Sequence, residues 1–137
     1  MNNGIAVVLV VEDSTIIRMG AVDLVLSAGY EALEASDADE AIRILEARSD
    51  IDLVFTDVQM PGTMDGIKLC HYIRDRWPPV KLIVASGMAI LEESSLPGGS
   101  TFFSKPYDDH IITDAMARLL SSETSIGPEQ NQSTLIR

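Results

Sequence analysis

The chain has 137 residues, of which 46% are hydrophobic, and a formal net charge of −11 at pH 7. This length and apolar content suit one globular domain with a core of its own. A surface this acidic argues against binding to nucleic-acid backbones and to anionic membranes, whereas it is compatible with a site for a divalent cation.

Cysteine content and hydropathy narrow the class further. The single cysteine, Cys70, excludes an internal disulfide bond and a cysteine-based metal cluster. No apolar run reaches the length of a membrane span, and the first residues lack the basic start of a signal peptide. We therefore expect a cytoplasmic protein that has no membrane partner.

Apolar runs of strand length alternate along the chain with segments of helical periodicity. The predicted strands cover residues 5–11, 30–35, 53–56, 81–85 and 101–103. The predicted helices begin near residues 14, 37, 66 and 108 and end near residues 28, 48, 76 and 120, and residues 88–95 have room for two helical turns at most. Five β/α units in this order predict a parallel sheet with helices on both faces.

Local signals mark the ends of the first two helices. Ser14 and Asp37 are placed to cap their N-termini, and Glu40 completes a capping-box pattern three residues after Asp37. Gly29 is a C-terminal stop. The residues of the first helix expected to face the core are Ile17, Ala21, Leu24 and Val25.

The composition changes towards the C-terminus. Residues 1–120 are predicted to form the single domain. Residues 121–137 are rich in Ser, Glu, Gln, Asn and Pro and have no apolar periodicity, so we predict a disordered tail there.

Polar side chains directly follow the predicted strands at four strand ends. The carboxyl ends of parallel strands meet at one edge of a sheet, so we expect these side chains to meet. Each has a local alternative: acids favoured by a helix dipole, a capping serine, or a solvated lysine. Their joint occurrence favours a common site. The residues are Glu12, Asp13, Asp57, Ser86 and Lys105.

The chemistry of this set favours phosphoryl transfer. Three carboxylates held close together repel one another, which favours their protonated forms unless a cation neutralises them. Carboxylate oxygens suit Mg²⁺, which also binds phosphate oxygens. A carboxylate nucleophile, a divalent cation, a lysine and a hydroxyl form a complete set for transfer of a phosphoryl group onto Asp57.

Over residues 5–120 the chain resembles the receiver domain of bacterial two-component response regulators. The resemblance implies an α/β, doubly wound, flavodoxin-like (βα)5 fold whose five parallel strands have the order 2-1-3-4-5. The stretches that carry the resemblance are Val10-Val11-Glu12-Asp13, Asp57-Val58-Gln59-Met60-Pro61 followed by Asp65-Gly66, Ala85-Ser86-Gly87, and Lys105-Pro106-Tyr107.

The resemblance implies a phosphorylation site and a metal site that share one residue. Asp57 would accept a phosphoryl group from a histidine kinase or a histidine phosphotransfer protein. Mg²⁺, for which Mn²⁺ is able to substitute, would be bound by Asp13, Asp57 and the backbone carbonyl of Gln59. Glu12 would assist the binding of the cation.

Other matching residues have implied roles in holding the phosphoryl group and in switching. Ser86 would hydrogen-bond that group, and Lys105 would form an ion pair with it. Phe102, three residues before Lys105, matches the switch residue of the family. The bond between Lys105 and Pro106 matches one that is cis in the family.

The resemblance also implies which residues control the lifetime of the phosphorylated form. Gln59 and Met88 occupy positions that line the route of the hydrolytic water, and the apolar Met88 is expected to prolong the phosphorylated form.

The chain departs from the pattern of the family in three ways. The loop 62–64 is one residue longer than the commonest pattern, and the span 86–105 is short. Phe102 lacks the hydroxyl of a tyrosine switch.

We therefore predict a stand-alone, single-domain response regulator, a phosphoacceptor rather than an enzyme, that signals through a downstream protein target. We expect no nucleic-acid partner, and a monomer or a weak dimer. An aspartyl-nucleophile phosphohydrolase would need an acid in place of Gln59. A nucleotide-binding domain would need a Gly-rich loop after the first strand. A binding module independent of phosphorylation would not need a complete acidic pocket.

Overall fold

The computed structural model of the chain describes residues 4–60, 64–87 and 95–124, with the backbone alone for residues 122–124. These ranges contain five strands and four helices. In chain order they are β1 (Val7–Val11), α1 (Thr15–Ser27), β2 (Glu31–Ala35), α2 (Ala38–Ala47), β3 (Leu53–Asp57), α3 (Gly66–Arg76), β4 (Lys81–Ser86), β5 (Ser100–Ser104) and α4 (Asp109–Thr124).

The strands form one parallel sheet in the order β2-β1-β3-β4-β5. This order confirms the predicted doubly wound, flavodoxin-like fold. The register aligns the carboxyl ends of the strands, because Asp57 pairs with Ala85 and Ser86 pairs with Ser104. Residues that directly follow β1, β3, β4 and β5 are therefore brought to one edge of the sheet.

Each face of the sheet carries a separate hydrophobic cluster. Alternate β1 residues, such as Leu9, pack with α2 and α3, while the intervening ones, such as Val10, pack with α1 and α4. Every residue of β1 and β3 is buried, as expected for central strands covered on both faces. Cys70 is buried in the first cluster, where desolvation raises the pKa of its thiol to about 12 and leaves it inert.

Side chains cap the helices where the sequence indicates. The hydroxyl of Ser14 accepts from the backbone N–H of Ile17 at 3.3 Å, and Asp37 Oδ1 accepts from that of Glu40 at 2.8 Å. Glu40 in turn accepts from the N–H of Ser36 at 2.8 Å. Gly29 follows α1 with a φ of 95°, which a residue with a side chain rarely adopts.

Two expectations about the helices are corrected. Ile17 is 48% exposed and is not part of the buried core. It lies in the first turn of α1, where it lines a cavity at the carboxyl ends of β1 and β3 together with Val11, Phe55 and Asp57. The last helix ends at Thr124, past the boundary expected at residue 120. Met88, most of the segment 88–95 and the tail from residue 125 lie outside the described residues.

Within the described ranges, the structure contains no helix that is both long enough and apolar enough to cross a membrane.

Candidate functional site

Three carboxylates meet at the carboxyl edge of the sheet. Glu12 and Asp13 directly follow β1, and Asp57 is the last residue of the neighbouring β3. One carboxylate oxygen from each lies within 4.8 Å of the others. Glu12 and Asp57 are buried, whereas Asp13 is exposed. The edge therefore concentrates negative charge partly away from water.

Lys105 supplies a positive charge to this group. Its Nζ lies 3.2 Å from Asp57 Oδ1 and 3.7 Å from Glu12 Oε1. The backbone fixes where the lysine emerges, because the Lys105 N–H donates to the carbonyl of Ser86 at 2.8 Å. The Lys105–Pro106 peptide bond is cis, the geometry that the resemblance implies. A single ammonium facing three carboxylates leaves the site acidic.

The Asp57 carboxylate retains an acceptor for a ligand. Its Oδ1 is buried and has no hydrogen-bond donor within the described part of the chain. Lys105 Nζ is close enough to donate but not at a hydrogen-bonding angle, so the contact is an ion pair. A buried acceptor without a donor costs about 1–3 kcal/mol. Carboxylate oxygens in this arrangement fit the oxygen-ligand preference of Mg²⁺.

Burial also affects two neighbouring titratable groups. Desolvation is the main cause that raises the pKa of Glu12; the charge of Asp57 adds to it, while the Ser14 N–H, which donates to Glu12 at 3.1 Å, and Lys105 oppose it. Desolvation also raises the pKa of Tyr107, with further contributions from the charges of Asp109, Glu12 and Asp57. The ring of Tyr107 packs 6.0 Å from that of Phe55, beside the acidic group.

The other predicted site residues lie around this centre. Ser86 is buried at the end of β4, one residue past Ala85, the register partner of Asp57. Gln59 follows β3 and its side chain is exposed. Phe102 is partly buried on β5 and packs on the α2 and α3 face of the sheet. It therefore lies beside the pocket rather than in it.

The backbone after Asp57 is held by a close approach of α3. The N–H of Gly66 donates to the carbonyl of Val58 at 2.8 Å, and the N–H of Val58 donates to that of Ala85 at 3.1 Å. A Cβ on Gly66 would overlap the carbonyl oxygen of Asp57. This contact gives a physical reason for the glycine in the Asp65-Gly66 motif.

Arg18 was not identified from the sequence as a site residue. Its Nη1 donates to the backbone carbonyl of Glu12 at 2.8 Å, and its Nε donates to Glu34 at 3.0 Å. The available signal was that Arg18 and Asp23 are the charged residues of an otherwise uncharged α1. The site character of Tyr107 was also missed, although Tyr107 forms part of a motif that carries the resemblance.

Comparison with known proteins gives several similar sequences. The chain is 37% identical over 116 residues to the response regulator protein FleR of Pseudomonas aeruginosa, a match that covers 82% of the chain and 24% of FleR. It is 28% identical to the sporulation initiation phosphotransferase F of Bacillus subtilis, over 82% of the chain and 92% of that protein. The chain thus spans about a quarter of FleR but most of the phosphotransferase.

Solved structures give the same result. A response regulator receiver domain protein from Clostridium thermocellum superposes with a TM-score of 0.81 at 25% identity, over 88% of this chain and 98% of that one. The receiver domain of the hybrid histidine kinase CckA superposes with a TM-score of 0.71 at 34% identity, over 84% and 99%. The sequence profile of the response regulator receiver domain matches residues 8–117. The chain therefore belongs to the response regulator receiver domain family of two-component signalling.

Proposed function

We propose that this domain is a phosphoacceptor that takes a phosphoryl group onto Asp57 from the phosphohistidine of a kinase or of a phosphotransfer protein. The observation that supports it best is the buried Asp57 Oδ1, which has no hydrogen-bond donor in the described residues and lies 3.2 Å from Lys105 Nζ. The carboxylates of Glu12 and Asp13 lie beside that of Asp57, with one oxygen of each residue within 4.8 Å of the others.

Transfer requires a carboxylate oxygen of Asp57 to bond to phosphorus while the bond from phosphorus to the donor nitrogen breaks. The electron pair of the broken bond stays with the imidazole of the donor. Lys105 offsets negative charge on the phosphoryl oxygens, and Ser86 offers a hydroxyl donor from the adjacent strand. Mg²⁺ would add charge neutralisation, bound by Asp13, Asp57 and the Gln59 carbonyl.

Glu12 assists that cation as an acceptor beside the direct ligands. Its buried carboxylate is held by the Ser14 N–H at 3.1 Å and faces Lys105. Burial favours the protonated form of Glu12. A cation bound among the three carboxylates would oppose this effect, because a neighbouring positive charge favours the ionised form. Mn²⁺ meets the same oxygen preference and would substitute.

We also propose that phosphorylation of Asp57 changes the protein surface near β4 and β5. Movement of Ser86 towards a phosphoryl group would leave room beside Phe102, which lies on β5 in register with Val84. Phe102 has no hydroxyl, so it can turn inward without leaving a polar group unpaired. The rearranged surface would then bind a downstream protein, since the net charge of −11 disfavours DNA.

Two further features of the proposal concern the lifetime of the phosphorylated form and the ability of the domain to act without an attached output domain. Gln59 and Met88 occupy the positions that line the route of the hydrolytic water, and the apolar Met88 cannot orient that water, so the phosphorylated form should persist. The match over 92% of the sporulation initiation phosphotransferase F of Bacillus subtilis supports the proposal that a domain of this size can act without an attached output domain.

Acetyl phosphate with Mg²⁺ distinguishes this function from a phosphohydrolase. We expect the protein to retain a single phosphoryl group per chain and to release phosphate slowly, and EDTA to prevent the incorporation. An aspartyl-nucleophile phosphohydrolase would instead release phosphate continuously and in large excess over protein. Multiple turnover without a retained group would contradict the proposal.

A further inference from the structure

Arg18 connects α1 to the backbone that carries the acidic pair. Besides its 2.8 Å contact with the Glu12 carbonyl, its Nε donates to Glu34 at 3.0 Å. The Arg18 side chain is 16% exposed and that of Glu34 is 52% exposed. An ion pair that is this exposed on one side adds little stability. The ion pair with Glu34 therefore does not explain why Arg18 lies at this place, and the contact with the Glu12 carbonyl is the better guide to its role.

The Glu12 carbonyl and the Asp13 N–H belong to one planar peptide unit. A donor that fixes the direction of the carbonyl fixes this plane, and with it the direction in which the Asp13 side chain leaves the backbone. The N–H of Glu12 is already bound to the carbonyl of Ala35 at 3.0 Å. Arg18 holds the other end of the same residue.

Asp13 depends on such support more than its two neighbours do. Glu12 and Asp57 are buried and held by packing, whereas Asp13 is exposed. Repulsion among three like charges would turn the least restrained carboxylate outward. A fixed backbone direction at Asp13 limits how far its carboxylate can turn away, and it adds to the side-chain hydrogen bond with Glu12 in keeping the Asp13 oxygen within 4.8 Å of the other two.

We propose that Arg18 is a positioning residue of the metal site, which holds the Glu12 carbonyl and thereby presets the Asp13 carboxylate for Mg²⁺. This inference rests on the proposed function, because it deepens the metal site of that function. Arg18 touches neither the phosphoryl group nor the cation in this role. It acts through the peptide between Glu12 and Asp13.

A titration with Mg²⁺ followed by backbone amide shifts tests the proposal. Arg18→Lys keeps the charge and the aliphatic stem but loses the fork that reaches two acceptors. We expect it to move the Asp13 amide resonance of the Mg²⁺-free protein and to raise the Kd for Mg²⁺ about tenfold. Arg118→Lys, the matched control on the exposed side of α4, should change neither quantity.

Two further variants separate position from charge. Glu34→Gln removes a charge but keeps an oxygen that can accept from Arg18 Nε, so the Kd should stay near the wild-type value. Arg18→Met removes the donor together with the charge, and the lost positioning should still raise the Kd. A pure charge effect has the opposite sign, because removal of a positive charge near a cation site lowers the Kd. If Arg18→Met lowers the Kd while Arg18→Lys leaves both the Kd and the Asp13 amide unchanged, Arg18 acts through charge and the positioning role is wrong.

The remaining outcomes are equally decisive. A lower melting temperature with an unchanged Kd for the folded protein would show a purely structural arginine and overturn the proposal. If Arg18→Met does not fold, Arg18→Lys decides alone. Failure of the wild-type protein to bind Mg²⁺ would overturn the proposed function as well, whereas equal Kd values in wild type and variants would overturn only the role of Arg18.

Discussion

At the scale of single residues, the site depends on backbone contacts as much as on charged side chains. Asp57 is fixed between the hydroxyl of Thr56, which donates to the Asp57 carbonyl at 2.9 Å, and the close approach of Gly66. The carboxyl ends of parallel strands lie at one edge of a sheet, so the sequence predicts that Asp57 and Lys105 meet. It does not predict Arg18, because the acceptor of that arginine is a backbone carbonyl and carries no sequence signal.

Gly66→Ala tests the close approach at Asp57. The added Cβ would meet backbone atoms of Asp57 and Val58, which cannot rotate away. We expect the free energy of unfolding to fall by about 1–3 kcal/mol, as for other overpacked positions. Urea unfolding of the Mg²⁺-free protein measures this change.

Gly20→Ala is the matched control, because a Cβ at Gly20 in α1 meets no atom within 4 Å. Alanine is the better helix former, so this variant should gain up to about 1 kcal/mol. Equal effects of the two substitutions would show that the approach of α3 to β3 is not tight.

At the scale of elements, capping and hydrophobic pattern determine where helices start but not everything that they cover. The predicted starts at Ser14 and Asp37 are confirmed by their hydrogen bonds. Ile17 lines the same cavity as Ala21 but is 48% exposed. Periodicity assigns a helix face without showing how much of that face is covered. Similarly, the reason for glycine at position 66 is a tertiary contact with β3 that no local pattern reveals.

The start of α2 gives a pH-dependent prediction. Hydrogen bonds from the backbone N–H and the hydroxyl of Ser36 lower the pKa of Glu40. An acid whose pKa is lowered by folding stabilises the protein above its unfolded pKa, and this stabilisation is lost as the pH falls through the folded value. At neutral pH the free energy of unfolding of the wild type should therefore exceed that of Glu40→Gln by about 1 kcal/mol.

The difference between these two proteins should shrink as the pH falls below about 4.3, the ordinary value for glutamate. Unfolding in urea at a series of pH values measures it. A difference that stays constant from neutral to acidic pH would mean that the contacts with Ser36 do not depend on the charge of Glu40.

At the scale of the whole molecule, a parallel sheet with aligned strand ends converts separate sequence signals into one acidic site. The order of the elements and the fold were predictable, because the central strands β1, β3 and β4 are largely apolar runs and segments of helical periodicity follow β1, β2, β3 and β5. The mutual distances of the site residues were not, since they follow from the register of four strands. The molecule thus carries three carboxylates at one edge within a chain of net charge −11.

Mg²⁺ should stabilise the folded molecule, because the site exists only in the native state. At a hundredfold excess over the Kd, the expected gain is about 2.7 kcal/mol, or roughly 10 °C in Tm. Asp13→Ala should remove most of this increase, while Asp75→Ala, which removes an exposed acid of α3, should preserve it. Thermal unfolding at constant ionic strength is the measurement. An increase that survives in Asp13→Ala would place the cation elsewhere.

The most direct test of the central claim is the intact mass of the protein after incubation with acetyl phosphate and Mg²⁺, compared between wild type, Asp57→Asn and Asp75→Asn. The asparagine at position 57 preserves the shape of the side chain but removes the nucleophilic carboxylate. We expect wild type and Asp75→Asn to gain the mass of one phosphoryl group, and Asp57→Asn to gain none while remaining folded. Incorporation into Asp57→Asn at the wild-type rate would contradict the assignment of Asp57 as the phosphoacceptor.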